Sequence, residues 1–476
     1  MNKQHETQPY ERKVTGAERF FSHAPFSTVT MVARIKGKVT EEMLKRAIEK
    51  VQQRHALLRV RIEDNQKGEL WFTSEGAQEI PIEVVPRKSE HDWIQIHAEG
   101  AKIPYDFETR PAIRFNLVQS PEVSELIILC HHIICDGMSL AYLARDLMIH
   151  LGDPAAEARV LPTPEPISLD NLPKDVSPSG LIMYFVNKIK QKWADEIVYF
   201  DQEDYVALNK AYWENFNHEI LSIELSEAET SALVTRSRKE NVTVNSAIIT
   251  AFSGAQKYVV SEQPHHAKTV SAVSLRDRLP KHPGEGIGYY ALGLEVKYKY
   301  NTNKSFWDNA RKYHKKIISK ISNKKVFGDL PIFLEMDSNV YEALSFKKLG
   351  SFVMPDSPRY KKLHNFSERE DMVVGLLKRA KMETLDAKLI GPAITNLGRL
   401  DFPKKYGALE LDRLIMQPGG AFPLVHVDMV IGAVTCAGKL SLVVEYAEEA
   451  IDTATMKVIK AKAMELLQNN KDGDYA

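Results

Sequence analysis

The sequence lacks an excess of either charge, because its 63 basic residues are matched by 63 acidic ones. A net charge of zero provides no general attraction to nucleic acid or to an anionic membrane. We therefore expect no nucleic-acid partner and no membrane partner. Neutral ligands, or ligands met through a local charged patch, fit this composition better.

Cysteine is also scarce, with three in 476 residues, at positions 130, 135 and 436. An odd and sparse set does not form a disulfide framework and is typical of a reducing compartment. Residues 1–13 are polar and lack the apolar core of a signal peptide, and apolar runs such as 181–186 are too short to cross a bilayer. These absences predict a soluble cytoplasmic protein.

Several catalytic signatures are missing. The sequence contains no G-x-S-x-G nucleophile elbow, no G-x-x-x-x-G-K-[ST] phosphate loop and no H-E-x-x-H metal motif. The three glycines of residues 284–290 do not open a helix after a strand, so this segment is predicted to be a loop. A Ser/His/Asp triad stays open as an alternative, because such triads are defined by geometry and not by order along the chain.

Strand and helix patterns alternate in both halves of the chain. Residues 26–37 and 124–134 are predicted strands, and residues 40–59 carry apolar side chains at the i, i+3, i+4 and i+7 positions of a helix that Thr40 caps. Residues 138–151 predict another helix, and a comparable series begins near residue 213. With 44% apolar residues, both halves can bury a core. The pattern predicts an α+β fold with two lobes of similar build.

The boundary between the two halves is marked by a proline-rich stretch at residues 161–180. An apolar-to-basic segment follows it, and we interpret this segment as a helix packed between lobes rather than as a membrane-surface helix. The predicted domains are an N-terminal lobe over 1–175, a linker and helix over 176–212, and a C-terminal lobe over 213–476.

The most informative stretch runs from Cys130 to Gly137 and contains two adjacent histidines. Neighbouring side chains of a strand point to opposite faces, so His131 and His132 should point apart, one into the packed interior and the other into a cleft. Two rings that point apart do not hold one metal ion. The flanking cysteines keep a metal site as an alternative to buried, apolar thiols.

The residues that follow the two histidines favour a catalytic site at the end of the strand. Asp136 follows the strand and could pair with a nearby cation, and Gly137 is predicted to allow a tight turn before the helix. The glycine amide would then lie near a helix N-terminus, where developing negative charge is stabilised. A histidine there is suited to general base catalysis. The alternative is an ordinary strand, turn and helix with two core histidines.

The run His131-His132-Ile133-Ile134-Cys135-Asp136-Gly137 resembles the H-H-x-x-x-D-G signature of acyltransferases similar to chloramphenicol acetyltransferase. This superfamily includes the condensation domains of nonribosomal peptide synthetases and the polyketide-associated acyltransferases. Further similarity extends over residues 54–62, 241–252, 273–280 and 394–401, so the resemblance covers nearly the whole chain.

The resemblance implies an α/β two-layer sandwich in each of two acetyltransferase-like lobes, arranged in a V around a central tunnel. It makes His132 the general base, or the group that orients the acceptor, and it makes His131 structural. Asp136 is expected to pair with Arg276, and Gly137 to provide the turn and an amide to the oxyanion.

The resemblance also indicates a second-lobe motif at Asn396 and Gly398. No metal, no bound cofactor and no covalent acyl-enzyme are expected, and residues that bind the donor are not identified by the sequence. Rate enhancement would come mainly from positioning two substrates.

The predicted activity is that of a free-standing, monomeric acyltransferase. The donor would be a phosphopantetheine thioester, either acyl-coenzyme A or an acyl carrier protein supplied in trans, and the acceptor a hydroxyl group. Residues 14–25 depart from the serine–alanine–glutamine–arginine motif of peptide-forming condensation domains, which favours ester formation. The alternatives are an amide-forming condensation enzyme with an amine acceptor and a non-catalytic relative that binds a carrier protein or lipid.

Overall fold

The computed structural model describes residues 9–65, 68–176, 180–260, 268–328, 330–380, 391–420 and 427–468. Within these residues, no helix is long and apolar enough to cross a membrane.

The described residues form fifteen strands, numbered in chain order. They are β1 (Glu11–Lys13), β2 (Thr28–Lys36), β3 (Arg61–Asp64), β4 (Leu70–Thr73), β5 (Ile82–Pro86), β6 (Ile113–Gln119), β7 (Val123–His131), β8 (His218–Glu224), β9 (Lys268–Ser274), β10 (Ala291–Lys297), β11 (Ala393–Leu400), β12 (Lys405–Tyr406), β13 (Leu409–Gln417), β14 (Met429–Cys436) and β15 (Lys439–Ala447).

The same residues form fifteen α-helices. They are α1 (Gly16–Arg19), α2 (Glu41–Arg54), α3 (Asp92–Lys102), α4 (Gly137–Gly152), α5 (Gly180–Glu196), α6 (Gln202–Asn215), α7 (Glu227–Lys239), α8 (Val244–Val259), α9 (Phe306–Ile318), α10 (Asn323–Phe327), α11 (Leu330–Glu335), α12 (Asn339–Leu349), α13 (Tyr360–Glu368), α14 (Met372–Ala380) and α15 (Thr453–Gln468). Four short 3₁₀ turns lie at Ala56–Arg59, Leu169–Asn171, Arg276–Arg278 and Gly350–Phe352.

Two mixed six-stranded sheets organise the molecule into two lobes. The N-terminal sheet has the order β12-β13-β2-β7-β6-β5, and the C-terminal sheet has the order β10-β9-β11-β14-β15-β8. A small third sheet, β1-β4-β3, flanks the first lobe. The predicted two-lobed α+β fold is therefore confirmed.

The two lobes exchange a strand. β13 pairs antiparallel with β2, so residues 409–417 of the predicted C-terminal lobe complete the N-terminal sheet. The following strand, β14, returns to the C-terminal sheet beside β11 and β15. The chain therefore crosses between lobes just after Gln417, which places residues 418–420 at the junction between the sheets.

Each lobe has its own apolar core, and a third core lies among helices. The N-terminal core includes Met31, Leu44 and Leu140, and the C-terminal core includes Ile248, Ile431 and Ile459. The third cluster packs α5, α6, α12, α13 and α14 together through Trp193, Tyr212, Phe346, Leu363 and Val373. The predicted helix between the lobes, α5, thus packs against further helices.

The sequence patterns located several of the regular elements. Helix α2 begins after Thr40, whose Oγ accepts the Met43 N–H at 3.3 Å, as the capping prediction requires. The helix predicted over 40–59 is shorter in the structure. It ends at Arg54, and a 3₁₀ turn follows at Ala56–Arg59. The predicted loop at residues 284–290 is confirmed, since it joins β9 to β10 without regular structure.

The contact between lobes is close at Gly432 of β14. A Cβ atom on this residue would lie 2.2 Å from the Met416 carbonyl oxygen, a backbone atom that cannot move aside. Gly432→Ala is therefore expected to lower the free energy of unfolding by about 1–3 kcal/mol, measured by urea denaturation.

A matched control for this change is Gly375→Ala in α14, where a Cβ would have no neighbour within 4 Å. Alanine is a better helix former than glycine, so this control should raise stability by about 0.5–1 kcal/mol. Equal urea midpoints for the Gly432 variant and the parent protein would contradict the close contact between the lobes.

Candidate active site

The two adjacent histidines lie where β7 ends. The strand stops at His131, and His132 already belongs to the turn, so the predicted strand over 124–134 is three residues too long. The rings nevertheless lie in different surroundings. His131 is buried against the rings of Tyr105 and Phe107, at centroid distances of 5.2 and 5.0 Å. Burial holds the pKa of His131 well below its usual value, so this ring is neutral.

His132 faces the space between the two sheets. Its ring lies 4.6 Å from the Phe21 ring and 5.6 Å from the Tyr289 ring, measured between centroids. Its backbone N–H donates to the Ser27 carbonyl at 2.8 Å, which ties the turn to the start of β2. Burial lowers the pKa of His132 below 6.5, so the neutral imidazole is the resting form.

The hydrogen bonds of His132 determine its tautomer. Nδ1 lies 3.0 Å from the Cys135 carbonyl oxygen, and Nε2 lies 3.3 Å from the Pro418 carbonyl oxygen. Carbonyl oxygens only accept, and a neutral imidazole has one N–H, so the shorter contact favours the tautomer protonated at Nδ1. The Nε2 lone pair is then free to accept a proton from a bound substrate.

Asp136 caps helix α4 and is buried. Its Oδ1 accepts the Ser139 N–H at 2.7 Å, and its Oδ2 accepts the Tyr290 N–H at 3.0 Å. Arg276 Nη2 lies 3.3 Å from Oδ1, so the pair predicted from the resemblance is in contact. The Ser139 hydroxyl strengthens this contact, because its oxygen lies 2.8 Å from both Oδ1 and the guanidinium.

The loop at residues 284–290 completes this network, which the sequence analysis did not anticipate. Arg276 Nη1 donates to the carbonyl oxygens of Gly284 and Gly286 at 2.8 and 3.1 Å. The Gly288 carbonyl oxygen lies 2.7 Å from Ser139 Oγ. The turn that carries His132 is thus anchored to the second lobe. Ser139 was recognisable only as the third residue of α4 in a D-x-x-S capping box.

Gly137 has a different role from the one predicted. It is the first residue of α4 and has no positive φ, so the expected tight glycine turn is wrong. Glycine leaves space here, since a Cβ would lie 2.8 Å from Met416 Sδ and 3.0 Å from Leu397 Cδ2 and these side chains would have to shift. The small residue lets α4 approach the strands of both sheets.

The N-terminal segment brings aromatic rings to the histidine. Helix α1 is held by Arg19, which is 2% exposed and binds Glu342 of α12 through contacts of 2.6 and 3.0 Å. Burial alone would raise the pKa of Glu342, but the Arg19 charge and the nearby His23 lower it to about 2. This ion pair fixes the segment that places Phe21 on His132.

A buried polar chain holds the junction segment on the other side of His132. Tyr212 Oη contacts His218 Nε2 at 2.6 Å, and His218 Nδ1 contacts Glu445 at 3.0 Å. Glu445 accepts from Gln417 Nε2, whose Oε1 accepts the Gly419 N–H at 3.1 Å. These bonds fix the backbone on both sides of Pro418 and hence the position of its carbonyl.

The second-lobe motif is placed beside the site rather than in it. Gly398 has φ +74° and forms a bulge, where its N–H donates to Asn396 Oδ1 at 2.8 Å. Thr395, the residue before Asn396 on β11, lines the cavity next to His132. The predicted motif therefore shapes the strand that presents Thr395.

A cavity of about 250 Å³, here called the inner cavity, lies between the sheets at His132. Its wall includes Phe21, Tyr289, Met416, Pro418 and Gly419, and it is mainly apolar. Residues 418–420 contribute to this wall, and residues 421–426 lie outside the described residues. Among the described residues, no cluster suited to a metal ion is found.

The comparisons with known proteins agree with this architecture. Residues 12–153 match the sequence profile of the Condensation domain family. The Bacillus subtilis dimodular nonribosomal peptide synthase is 29% identical over 125 residues, which are 26% of this chain and 5% of that protein. The Aspergillus flavus nonribosomal peptide synthetase agiA is 29% identical over 117 residues, 24% of this chain and 2% of that protein. The chain thus spans a small part of these curated relatives.

Solved structures resemble the chain over almost its entire length. The epimerization domain from tyrocidine synthetase B has a TM-score of 0.58 and 13% identity, covering 98% of this chain and 97% of that one. The trichothecene 15-O-acetyltransferase of Fusarium sporotrichioides has a TM-score of 0.63 and 12% identity, covering 96% and 94%. At these identities the similarity shows the fold. The resemblance to condensation domains and chloramphenicol acetyltransferase-like proteins is confirmed.

Proposed function

We propose that this chain, which has the condensation-domain fold, is an acyltransferase that moves an acyl group from a phosphopantetheine thioester to a hydroxyl acceptor. The orientation of His132 is the observation that carries the proposal. Its Nδ1 lies 3.0 Å from the Cys135 carbonyl oxygen, and the ring lines the inner cavity between the two sheets, with Nε2 beside the Pro418 carbonyl oxygen of the cavity wall.

In the proposed reaction, His132 Nε2 accepts the proton of the acceptor hydroxyl as its oxygen attacks the thioester carbonyl. The tetrahedral intermediate then collapses, the carbon–sulfur bond breaks, and the thiol leaves with that proton. The amide of Gly137, at the positive end of the sixteen-residue helix α4, lies in the cavity wall and is suited to stabilise the oxyanion. Thr395 carries the one aliphatic hydroxyl among the described residues of the wall, and no serine or cysteine is among them; the proposed transfer is direct, without an acyl-enzyme.

The charge of the inner cavity favours a neutral acceptor. Asp136 is the single carboxylate among the described wall residues, and both of its oxygens are occupied by Ser139, Tyr290 and Arg276. An amine enters largely as an ammonium ion at neutral pH and would lose its hydration there without a counter-charge. A hydroxyl group carries no such cost.

One contact supports amide formation as the second candidate. The Pro418 carbonyl oxygen lies 3.3 Å from His132 Nε2. A neutral amine has two N–H groups, of which one could bond Nε2 and the other this carbonyl. A hydroxyl group has one proton and leaves the carbonyl unused.

We also propose a cellular compartment and an oligomeric state for the enzyme. Cys130, Cys135 and Cys436 are free and buried, which is compatible with a reducing cytoplasm. We propose a monomer that receives its donor either as acyl-coenzyme A or from a carrier protein acting in trans.

The proposed function is tested by thiol release. The purified protein is mixed with acyl-coenzyme A and acyl-carrier thioesters, with alcohols, with amines or with no acceptor. Release that requires an alcohol and yields an ester supports the proposal, and release that requires an amine supports amide formation. No acceptor-dependent release with any donor would favour a non-catalytic binding protein.

The pH dependence of transfer follows from the lowered pKa of His132. The neutral ring is the active form, so activity is lost as the pH falls through the pKa of this ring. Because burial lowers that pKa, the acid limb of kcat/KM against pH should lie below pH 6.5. An acid limb above pH 6.5 would contradict the neutral resting form of His132.

A further inference from the structure

Helix α5 leaves its apolar N-terminal end open to solvent. The helix packs against α11 and α14, but its buried side chains are Val186 and Trp193 only. Four large apolar side chains in its first two turns are exposed, namely Leu181 (69%), Ile182 (39%), Tyr184 (54%) and Phe185 (55%). The sequence analysis interpreted α5 as a helix packed between lobes, and this interpretation does not account for its first two turns.

The exposed face of α5 changes from apolar to cationic along the helix. Leu181, Phe185, Lys188 and Lys192 follow one another at i, i+4, i+7 and i+11, which places them in one stripe on the helix surface. Lys188 Nζ lies 4.8 Å from the centroid of the Tyr184 ring and pairs with no described carboxylate. An unpaired ammonium group therefore lies directly beside the exposed rings.

The charge of this segment has one sign. Residues 180–194 contain three lysines and no aspartate or glutamate, in a chain whose net charge is zero. Lys190 Nζ lies 3.8 Å from Glu335, and Lys192 Nζ lies 3.6 Å from Glu196, at the C-terminal end of the helix. Such long, partly exposed pairs contribute little. The end of the helix that exposes the apolar residues is therefore positively charged.

A second segment of the chain shares this character. Residues 309–328 contain six lysines and no aspartate or glutamate. Two isoleucines among these lysines are exposed, Ile318 at 50% and Ile321 at 38%. The helix that follows, α11, packs against α5. Exposed apolar side chains are thus combined with lysines in both segments.

We propose that the first two turns of α5 bind the surface of an anionic lipid bilayer. Leu181, Tyr184 and Phe185 would enter the interface between the acyl chains and the headgroups, while Lys188 remains at the lipid phosphates. Tyrosine suits this boundary, because its ring is apolar and its hydroxyl is polar. The helix would lie at the surface of the bilayer. This proposal does not depend on the acyl-transfer reaction.

A lipid surface fits this patch better than a protein partner does. A stable protein interface uses about 20–30 residues on each side. The two turns of α5 span about 11 Å and offer four apolar side chains. A bilayer needs no matching shape, so a short amphipathic patch is sufficient. The sequence analysis expected no membrane partner from the net charge, but attraction to lipid headgroups acts over about 8 Å and depends on nearby lysines.

Sedimentation with lipid vesicles tests the proposal. The parent protein should bind vesicles made of equal parts phosphatidylcholine and phosphatidylglycerol more tightly than vesicles of phosphatidylcholine alone, and added salt should reduce this difference. The double variant Tyr184→Ser, Phe185→Ser should bind the anionic vesicles about tenfold to a hundredfold more weakly, because two rings no longer leave water. No binding of the parent to anionic vesicles, or equal binding of the variant, would overturn the proposal.

The control removes the same apolar exposure elsewhere. Ile103, which follows α3, is 56% exposed, and Val458 on α15 is 54% exposed. The double variant Ile103→Ser, Val458→Ser should bind anionic vesicles as the parent does. A loss equal to that of the α5 variant would show a general effect of surface hydrophobicity and would overturn a site on α5.

The contribution of charge is tested at Lys188. The preference for anionic over neutral vesicles should fall about fivefold in Lys188→Gln, as expected for one lysine at a membrane surface. Lys457 on α15 is also exposed, and Lys457→Gln should keep the preference of the parent. An unchanged preference in the Lys188 variant, or an equal fall in the control, would overturn the contact between Lys188 and the headgroups.

Insertion is measured directly with a dye whose emission depends on the polarity around it. Cys130, Cys135 and Cys436 are buried, so a cysteine introduced by Leu181→Cys is labelled selectively. Its emission should shift to shorter wavelength when anionic vesicles are added, whereas a label at Lys457→Cys should show no shift. A shift at both positions, or at neither, would overturn insertion through α5.

Self-association is the competing use of the patch. Sedimentation velocity without lipid should show a monomer at the concentration used with the vesicles. A dimer that dissociates in the Tyr184→Ser, Phe185→Ser variant would assign the patch to a second copy of the chain and would overturn the proposal.

Discussion

Replacing His132 with alanine is expected to lower kcat/KM for acyl transfer by about 10²–10⁴-fold, the usual contribution of a general base. The loss should fall on kcat, because the ring lies in the wall of the cavity and acts on the proton that moves during attack. The fold should persist, since His132 is half-buried and lies in a turn rather than in either core. Thiol release with a fixed donor and acceptor measures this change.

Two further variants make the experiment specific. His132→Gln keeps a polar side chain that can orient an acceptor but does not take up a proton at neutral pH. Activity within tenfold of the parent would show that this position orients the acceptor. A loss equal to that of alanine would show that it accepts the proton. His91, an exposed histidine at the start of α3, is the control, and His91→Ala should leave activity unchanged.

Some parts of the site were predictable because each of them is encoded by a short run of neighbouring residues. The H-H-x-x-x-D-G run, the end of β7 and the start of α4 all lie within about twenty residues. Helices such as α2 and α4 follow from apolar periodicity, and the Thr40 cap follows from the chemistry of one side chain. The assignment of His132 to the cleft also agrees with the structure, although the strand ends three residues earlier than expected, at His131.

The remaining parts of the site depend on contacts between distant residues, for which one sequence carries no local pattern. Phe21 reaches His132 only because Arg19 pairs with Glu342, more than 300 residues away. The position of Pro418 depends on β13 joining the N-terminal sheet through β2. Neither pairing has a spacing rule, so the sequence predicted neither the aromatic wall nor the carbonyl at Nε2.

The overall composition also gave no indication that lysines are concentrated in one segment of the chain. A net charge of zero is an average, and it gave no reason to expect nucleic acid. The same average hides the lysine-rich segment 309–328, whose charge is balanced by carboxylates elsewhere in the chain. Because electrostatic attraction is screened over about 8 Å at physiological salt, a ligand close to this segment would respond to the nearby lysines and not to the total charge.

Replacing Asp136 with alanine is expected to lower the free energy of unfolding by about 3–5 kcal/mol, in addition to its effect on activity. The carboxylate is 3% exposed, and its partner Arg276 is 4% exposed, so the variant leaves a guanidinium buried without its counter-charge. The variant also removes the cap of α4, since Oδ1 accepts the Ser139 N–H. A cap alone contributes about 1 kcal/mol. A larger loss of stability would show that the unpaired charge of Arg276 also destabilises the variant. Urea denaturation measures the change.

The pair is separated from the cap by a double-mutant cycle. Asp136→Asn retains an oxygen for the Ser139 N–H but removes the negative charge, so its loss should lie between those of the parent and the alanine variant. Combining it with Arg276→Met removes both buried charges, and the double variant should be more stable than the sum of the two single losses implies. Additive losses would mean that Arg276 is held by the Gly284 and Gly286 carbonyls and by Ser139 Oγ without help from Asp136. In that case Asp136 would stabilise the protein through the backbone N–H groups of Ser139 and Tyr290 and not through its charge.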